Sequence, residues 1–446
     1  MENILLELEH LITNISNAVW PIFLPFILVL GAITSIRTIF IIKNQTTTQA
    51  KLNIKNVIGP ASISLGAMIG TGAIIGVLGA LSKLSAAGQA NIESMAIWAL
   101  IGSIIMIPVS YAETLSSKIM RKTPKEYIAM LITPAVGKLY AVCFVALAVF
   151  GFGGFQFSGI DSVAAIITVK FAGQELSLMQ RYIFIVVPII LVVCALILSK
   201  KHELFIGAMA SMIGIAVVAY FAFFILFVFK TNDYIPTYFS KMMEGLRNPV
   251  GAMLGMPLGL VLGLQKVIQT AETGLGALAM AAQESEAPPR EAATISLIPT
   301  VVTVFVSIVV TSYIVSYGVN SGVLSIIDES GNQTSAVVRL LGYFETAQEV
   351  TGLFGLIVLS LFTVLSALTT ILGSYYYTSK LFKENPENTN IAIYLILVVA
   401  AGTLAVFGAN VVFEAVDLLL FVLSGLNVAA LAIFTFGHWE KYKINK

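Results

Sequence analysis

Apolar residues run along this chain in long stretches, separated by short polar segments. A membrane-crossing helix needs about 20 mostly apolar residues, and eleven stretches reach that length: 18–42, 57–83, 92–118, 136–169, 181–199, 203–230, 252–282, 293–318, 351–382, 390–408 and 411–437. The fourth, seventh and ninth are long enough to be tilted or broken. The longest polar stretch, 320–349, is typical of a surface loop. The pattern predicts an all-α polytopic membrane protein with eleven transmembrane helices.

Two of these stretches are interrupted in their middle. Residues 62–82 contain Gly70-Thr71-Gly72, and a second interruption, QTAETGLG, lies at 269–276. The bilayer core has no water to satisfy free backbone groups, so a helix breaks at that depth only where the backbone lines a cavity or holds a ligand. A pair of glycine-interrupted spans in corresponding positions of two halves is typical of inverted-repeat secondary transporters.

The distribution of Lys and Arg predicts the orientation in the membrane. With the N-terminus outside, 17 of the 25 basic residues fall on the cytoplasmic side and seven outside, while Lys266 lies within a span. The C-terminus is then cytoplasmic, and the two interrupted spans start on opposite sides of the membrane. We therefore expect residues 1–56 to form an interfacial segment and an extra helix, 57–240 a first five-helix repeat, 241–437 a second, inverted repeat, and 438–446 a cytoplasmic tail.

Composition narrows the function classes. Only 11% of the residues are charged and 58% are hydrophobic, whereas soluble domains carry about a quarter charged residues. The net charge of +1 does not indicate a nucleic-acid partner. Two cysteines inside apolar spans and three scattered histidines indicate neither a disulfide framework nor a metal or catalytic cluster. We expect no enzymatic activity, no cofactor and no obligatory protein partner.

The first interruption has the chemistry of an anion site. Backbone N–H groups of Thr71 and Gly72 would begin the second half-helix, and a helix N-terminus attracts a carboxylate. Glycine at 70 and 72 lets a ligand touch the backbone. The alternative is close helix packing, which we favour for Gly66, Gly76 and Gly79.

The second interruption combines polar side chains with loose backbone. Gln269, Thr270 and Glu272 are polar, and carbonyls freed around Gly274 would suit an ammonium group. The alternative, that the span ends near Leu264, conflicts with the apolar residues 274–281 that follow. We therefore predict that this segment contacts a substrate.

Three hydroxyl side chains on the ninth span share one helix face. Ser366, Thr369 and Thr370 follow i, i+3, i+4 spacing, and oxygen ligands of this kind suit a hard cation. The alternative is that each hydroxyl bonds back to its own helix.

Intramembrane acids are candidates for function by default. Asp161, near the end of the fourth span, would bind an amine, a cation or a proton, unless the span ends near Gly154 and leaves it in water. We expect Glu113 to snorkel or pair with a lysine rather than touch a ligand, and Lys266 to pair with Glu272.

Several motifs resemble the alanine/glycine:cation symporter family (sodium:alanine symporters), which has the leucine-transporter fold. Residues 69–72, IGTG, are similar to its I-G-T-G-N, and 272–276, ETGLG, to its S-N-E-A-G-M-G. Residues 367–373, ALTTILG, with 375–377, YYY, resemble its F-T-T-I-L-G-x-Y-Y-Y, and 111–113, YAE, also recurs. The resemblance runs from about Val19 to Phe436.

This resemblance implies a core of five plus five helices, made by the second to eleventh spans, with the first span as an addition. It implies uptake of small neutral amino acids driven by a cation, most simply sodium, across a prokaryotic cytoplasmic membrane. It also implies that carbonyls of Gly66 and Ile69 join Ser366, Thr369 and Thr370 around that cation.

The chain departs from the family at positions near the substrate. The asparagine after G-T-G is Ala73, the asparagine of S-N-E-A-G is Ala271 and its alanine is Thr273. On the fourth span an ungapped alignment sets Gly159 against a glutamine and Asp161 against an asparagine, so Gln156 is our candidate to replace the amide. The alternatives are another small amine or zwitterion, coupling to protons, or a non-transporting amino-acid sensor; an intramembrane enzyme ranks last.

Overall fold

The computed structural model describes residues 2–43, 54–174, 176–251, 255–406, 410–438 and 440. Within these ranges the chain is helical, and β-structure is limited to two isolated bridges, Gly251 with Pro257 and Ile327 with Gln333. The all-α prediction is therefore confirmed for the described residues. Most of the tail, 441–446, lies outside them.

Twenty α-helices follow one another in the described residues, several of them joined end to end within one span. They are α1 Glu2–Lys43, α2 Ile54–Met68, α3 Gly72–Ala86, α4 Ser94–Met120, α5 Pro124–Leu131, α6 Pro134–Ala146, α7 Gly154–Ala172, α8 Leu178–Arg181, α9 Val187–Leu198, α10 His202–Lys230, α11 Ile235–Arg247, α12 Leu258–Ala271, α13 Ala277–Ala281, α14 Pro289–Ile295, α15 Leu297–Val304, α16 Thr311–Ser321, α17 Ala336–Thr351, α18 Leu353–Leu381, α19 Glu387–Val406 and α20 Asn410–Gly437. Three π-helical turns, Leu147–Gly153, Tyr182–Val186 and Phe305–Val310, connect α6 to α7, α8 to α9 and α15 to α16.

Nine helices of the described residues are long and apolar enough to cross a membrane. The pair Val57–Met68 and Gly72–Ala86, bent by 41°, makes a tenth if it is one span, and the 14-residue α12 is a shorter apolar helix. Many large apolar side chains point outward, including Ile104 at 73% exposure and Phe229 at 76%. An apolar outer surface of this kind belongs in lipid, so this is a multi-pass membrane protein.

Several element boundaries differ from the sequence prediction. The N-terminal segment is the first part of the continuous helix α1 rather than a separate interfacial helix. The stretch 320–349 is not a loop throughout, because it contains most of α17, whose apolar side buries Tyr343 and Phe344. The boundary between residues 240 and 241 falls inside α11, so the division into repeats stays a prediction.

The fourth predicted span is a single run, Pro134–Val169, of 36 residues. The π-helical turn Leu147–Gly153 lies in its middle, immediately before α7. Turns of this type inside α-helices are frequent at functional sites. This turn places Gln156, early in α7, against the first interruption.

Candidate functional site

The first interruption is held by the side chain of Gln156. Ile69, Gly70 and Thr71 leave the helical path between α2 and α3. The backbone N–H of Thr71 donates to Gln156 Oε1 at 2.8 Å, and the Thr71 hydroxyl donates to the Phe155 carbonyl at 2.8 Å. The Thr71 N–H that we predicted to bind a substrate carboxylate is thus bound by an amide in this conformation.

The two glycines of this interruption have different surroundings. A Cβ on Gly70 would come within 2.6 Å of both Gln156 amide atoms and 2.7 Å of Thr370 Oγ1. A Cβ on Gly72 would meet nothing within 4 Å. Gly70 therefore allows close packing, whereas Gly72 borders open space that a ligand could use.

The second interruption has a left-handed backbone. Glu272, Gly274 and Gly276 have φ angles of 49°, 76° and 91°. For Glu272 this conformation is uncommon and strained, and such residues cluster at functional sites. The chain resumes as α13 after Gly276, so the interruption predicted at 269–276 is present; that α12 and α13 together make one broken membrane span stays a prediction.

The carbonyls freed by this interruption already have donors. Asn427 Nδ2 donates to the Gly274 carbonyl at 2.8 Å, and the Tyr140 hydroxyl donates to the Leu275 carbonyl. Gly274 itself packs toward Val428, Met106 and Val109 and does not line the cavity described next. Our expectation that these carbonyls await an ammonium group is wrong for this conformation.

Both interruptions border one internal cavity. The cavity has a volume of about 20 Å³, room for about one water molecule and too little for an amino acid in this conformation. Six of the nine predicted substrate residues line it: Gly70, Gly72, Gln156, Gln269, Thr270 and Glu272. The remaining lining residues are Ala67, Met68, Phe152, Phe155 and Thr370. Its lining combines apolar side chains with a few convergent polar groups, as the lining of small-molecule sites does, but the cavity would have to widen to admit a substrate.

The predicted cation ligands lie beside this cavity, where α2 packs against α18. The Thr370 hydroxyl donates to the Gly66 carbonyl at 3.0 Å, and a Cβ on Gly66 would lie 3.1 Å from Thr369 Cβ. Ser366, Thr369 and Ile69 are fully buried. The hydroxyls of Ser366 and Thr369 donate to their own helix, which leaves their lone pairs as acceptors for a cation.

Asp161 lies apart from the cavity residues. Its Oδ1 accepts from Arg181 Nε at 2.7 Å, and its Oδ2 accepts from the other arm of the same guanidinium. Asp161 is 7% exposed, so it is neither in water nor open to a ligand in this conformation. A bidentate pair of this kind is a structural interaction.

We expect Asp161→Asn to act on stability rather than on substrate affinity. The change removes a charged partner from Arg181 and should lower the free energy of unfolding by about 1–3 kcal/mol, since the arginine retains some access to water. Thermal unfolding in detergent measures this, with the exposed Asp233→Asn as control. Equal stability together with a raised KM for substrate would instead support the sequence-based role of Asp161.

Three side chains at the second interruption were not predicted as part of the site. Glu113 is fully buried, and its Oε2 accepts from Gly276 N at 3.2 Å and Asn427 Nδ2 at 3.1 Å. It neither snorkels nor pairs with a lysine, so that prediction is wrong. The Tyr377 hydroxyl donates to Glu272 Oε2 at 3.1 Å. The sequence identifies Glu113 as an intramembrane acid, but it does not show how deeply the side chain is buried.

Lys266 also differs from its prediction. Its ammonium donates to Gln269 Oε1 at 2.7 Å and lies 3.6 Å from Asp417 Oδ1. It does not pair with Glu272. Lys266 and Gln269 both lie on α12, and their hydrogen bond fixes the orientation of Gln269, one of the cavity residues.

The fold defines a class: a multi-pass membrane protein in which two interrupted helical segments border one small cavity. The model of the sodium:alanine symporter family matches residues 6–443. The chain belongs to that family, and the resemblance seen in its motifs is confirmed.

Solved structures share the fold. A Na⁺-coupled sialic acid symporter, solved in a substrate-bound outward-open state, matches with a TM-score of 0.57 and 13% identity over 94% of this chain and 86% of that one. A mutant of the Eremococcus coleocola manganese transporter matches with a TM-score of 0.51 and 12% identity over 87% and 81%. A search of curated proteins gave no match.

Proposed function

We propose that the protein carries a small neutral amino acid, such as alanine or glycine, together with sodium by alternating access. The observation that carries this proposal is the meeting of both interrupted spans at one small cavity, beside the buried oxygen atoms of α2 and α18. A cation bound there touches both spans and therefore links its own binding to their arrangement.

The substrate carboxylate is proposed to bind at the start of α3. Gly72 faces open space there, and the N-terminus of this 15-residue helix favours an anion. Because Gln156 Oε1 accepts from the Thr71 N–H, substrate binding must move this amide or use the groups next to it. We expect the substrate carboxylate to replace the Gln156 amide as the acceptor of the Thr71 N–H when the substrate enters.

The substrate ammonium is proposed to bind near Gln269, Thr270 and Glu272. These side chains border the cavity from the second interruption, whereas the carbonyls of Gly274 and Leu275 are occupied by other donors. The cavity of about 20 Å³ must widen to admit a substrate, and a substrate with a small side chain requires the least widening. The two neighbouring family asparagines that are alanine here, at 73 and 271, are not among the residues that line the cavity.

Sodium is proposed to bind between α2 and α18 as the coupling ion. Carbonyls of Gly66 and Ile69 and the hydroxyls of Ser366, Thr369 and Thr370 supply oxygen ligands suited to a hard cation. Sodium enters in place of the Thr370–Gly66 hydrogen bond. The ion thereby holds the two helices at a fixed separation.

The membrane arrangement is proposed as eleven spans, with α12, the turn and α13 forming the seventh. The spans from α2 onward are proposed to form two inverted five-helix repeats, with α1 as an addition. The excess of basic residues favours an external N-terminus and a cytoplasmic C-terminus in a prokaryotic cytoplasmic membrane.

Uptake into proteoliposomes tests this function. We expect labelled alanine or glycine to accumulate when an inward sodium gradient is applied, and to stop accumulating when sodium is equal on both sides or replaced by choline. Measurement at two pH values separates sodium from proton coupling. Accumulation driven by a pH gradient alone, or none of either amino acid while another small zwitterion accumulates, would overturn the assignment.

A further inference from the structure

Two buried carboxyl groups flank the second interruption. Glu113 on α4 is 0% exposed and Glu272 is 1% exposed. Each has one oxygen that accepts hydrogen bonds, as described above. The Glu113 carboxyl also interacts with the backbone N–H groups of Leu278 and Ala279, whereas Oε1 of Glu272 has no hydrogen-bond partner among the described residues. An unpartnered oxygen on a buried acid indicates that the site lacks a positively charged or proton-donating component.

The neighbours of this pair are neutral phenols. The Tyr377 hydroxyl donates to Glu272, the Tyr140 hydroxyl on α6 donates to the Leu275 carbonyl, and the Tyr127 hydroxyl on α5 donates to Asn427. On α20 the facing group is the neutral amide of Asn427. Within the described part of the chain, no Lys, Arg or His forms an ion pair with either carboxyl; on α12, Lys266 binds Gln269 and Asp417, and on α14, Arg290 faces Tyr111.

Physical chemistry restricts the charge of such a pair. Two ionised carboxylates in a dry membrane interior, without a cation, cost far more than one ionised and one neutral carboxyl. A metal ion needs several ligands, and the described residues contain no group of three or more His, Cys, Asp or Glu side chains that could hold one. A proton needs one oxygen, and Oε1 of Glu272 is such an oxygen.

The two acids are not equivalent. Glu113 accepts two N–H hydrogen bonds, which stabilise its ionised form, and it is not among the residues that line the cavity. Glu272 accepts one hydroxyl, has a strained backbone and borders the cavity. We propose that Glu272 carries a proton in the substrate-free protein and releases it when an ammonium-bearing substrate occupies the cavity.

The charge balance of this exchange can be stated. The O–H bond of Glu272 breaks, the proton leaves through the cavity to water, and the resulting carboxylate faces the substrate ammonium. An amino acid zwitterion brings no net charge, so the site loses one positive charge with the proton, and the sodium ion proposed above replaces it. The second half of this proposal rests on the proposed function, whereas the protonation of Glu272 does not.

Infrared spectroscopy of the substrate-free protein tests the first half. We expect a protonated-carboxyl C=O stretching band at neutral pH that is lost in Glu272→Gln and kept in the control Glu203→Gln, which changes an exposed acid on α10. Glutamine has the same shape, is neutral and still accepts from Tyr377, so the variant should fold. A band that persists unchanged in Glu272→Gln would overturn the proposal.

Proton release on binding tests the second half. Adding alanine to weakly buffered, detergent-solubilised protein in sodium chloride should release about one proton per bound alanine, read with a pH indicator beside equilibrium dialysis of labelled alanine. Glu272→Gln should release none, and Glu203→Gln should match wild type. Alanine binding without release would overturn the exchange and leave the proposed function standing. If the protein binds no alanine, the proposed function is contradicted. The protonation of Glu272 is then still tested by the infrared band.

Discussion

Gly70→Ala is expected to reduce sodium-driven uptake by roughly ten- to hundredfold. The added Cβ would lie 2.6 Å from both amide atoms of Gln156 and 2.7 Å from Thr370 Oγ1, and each of these side chains is part of the proposed site. Overpacking a well-packed interior costs about 1–3 kcal/mol, and each 1.4 kcal/mol corresponds to about a factor of ten. Initial uptake rates in proteoliposomes measure the loss.

A matched substitution separates this effect from a general effect on α2. Gly59 lies on α2, the helix that ends just before Gly70, and a Cβ there would meet nothing within 4 Å, so Gly59→Ala should transport like wild type. Both variants should show wild-type elution on size exclusion. Full activity in Gly70→Ala would mean that Gln156 and Thr370 move apart at no cost, and the close contact would then have no part in transport.

Thr370→Val is expected to raise the KM for sodium by roughly tenfold or more, with a smaller effect on maximal uptake at saturating sodium. The change keeps the shape of the side chain but removes one proposed ligand oxygen and the hydrogen bond to the Gly66 carbonyl. Leaving a buried polar group without its partner costs about 1–3 kcal/mol. The measurement is the sodium dependence of initial uptake at fixed amino acid.

Thr378→Val is the control on the same helix. Its hydroxyl donates to the Ser374 carbonyl within α18 at 2.8 Å and is not one of the proposed ligands. We expect its sodium KM to remain at the wild-type value. If Thr370→Val and Thr378→Val behave alike, the hydroxyl of Thr370 does not bind the coupling ion.

The interruptions were predictable because their signal is local. Glycine and polar residues within an apolar stretch contradict an unbroken membrane helix, and Gly70 and residues 272–276 lie where that argument places them. The face shared by Ser366, Thr369 and Thr370 follows in the same way from helical spacing. Such patterns depend only on residues that are close together along the sequence.

The partners of these residues were not predictable, because they come from distant parts of the chain. Asp161 pairs with Arg181 from the next span, and Lys266 pairs with Asp417, which lies 151 positions further on. Glu113 is separated from Gly276 by 163 positions. Whether an intramembrane acid contacts an arginine, an amide or a backbone N–H depends on how the spans pack. This packing cannot be derived from a single sequence.

The π-helical turn Leu147–Gly153 has a consequence for how the fourth span can vary among relatives. A π-helical turn amounts to one additional residue in an otherwise regular helix, and each residue rotates the following side chains by about 100°. Deleting one residue from this turn would restore a regular helix and rotate Gln156 away from Thr71. Sequences in which the turn is missing therefore need a one-residue gap in their alignment, and in them another position must supply the amide.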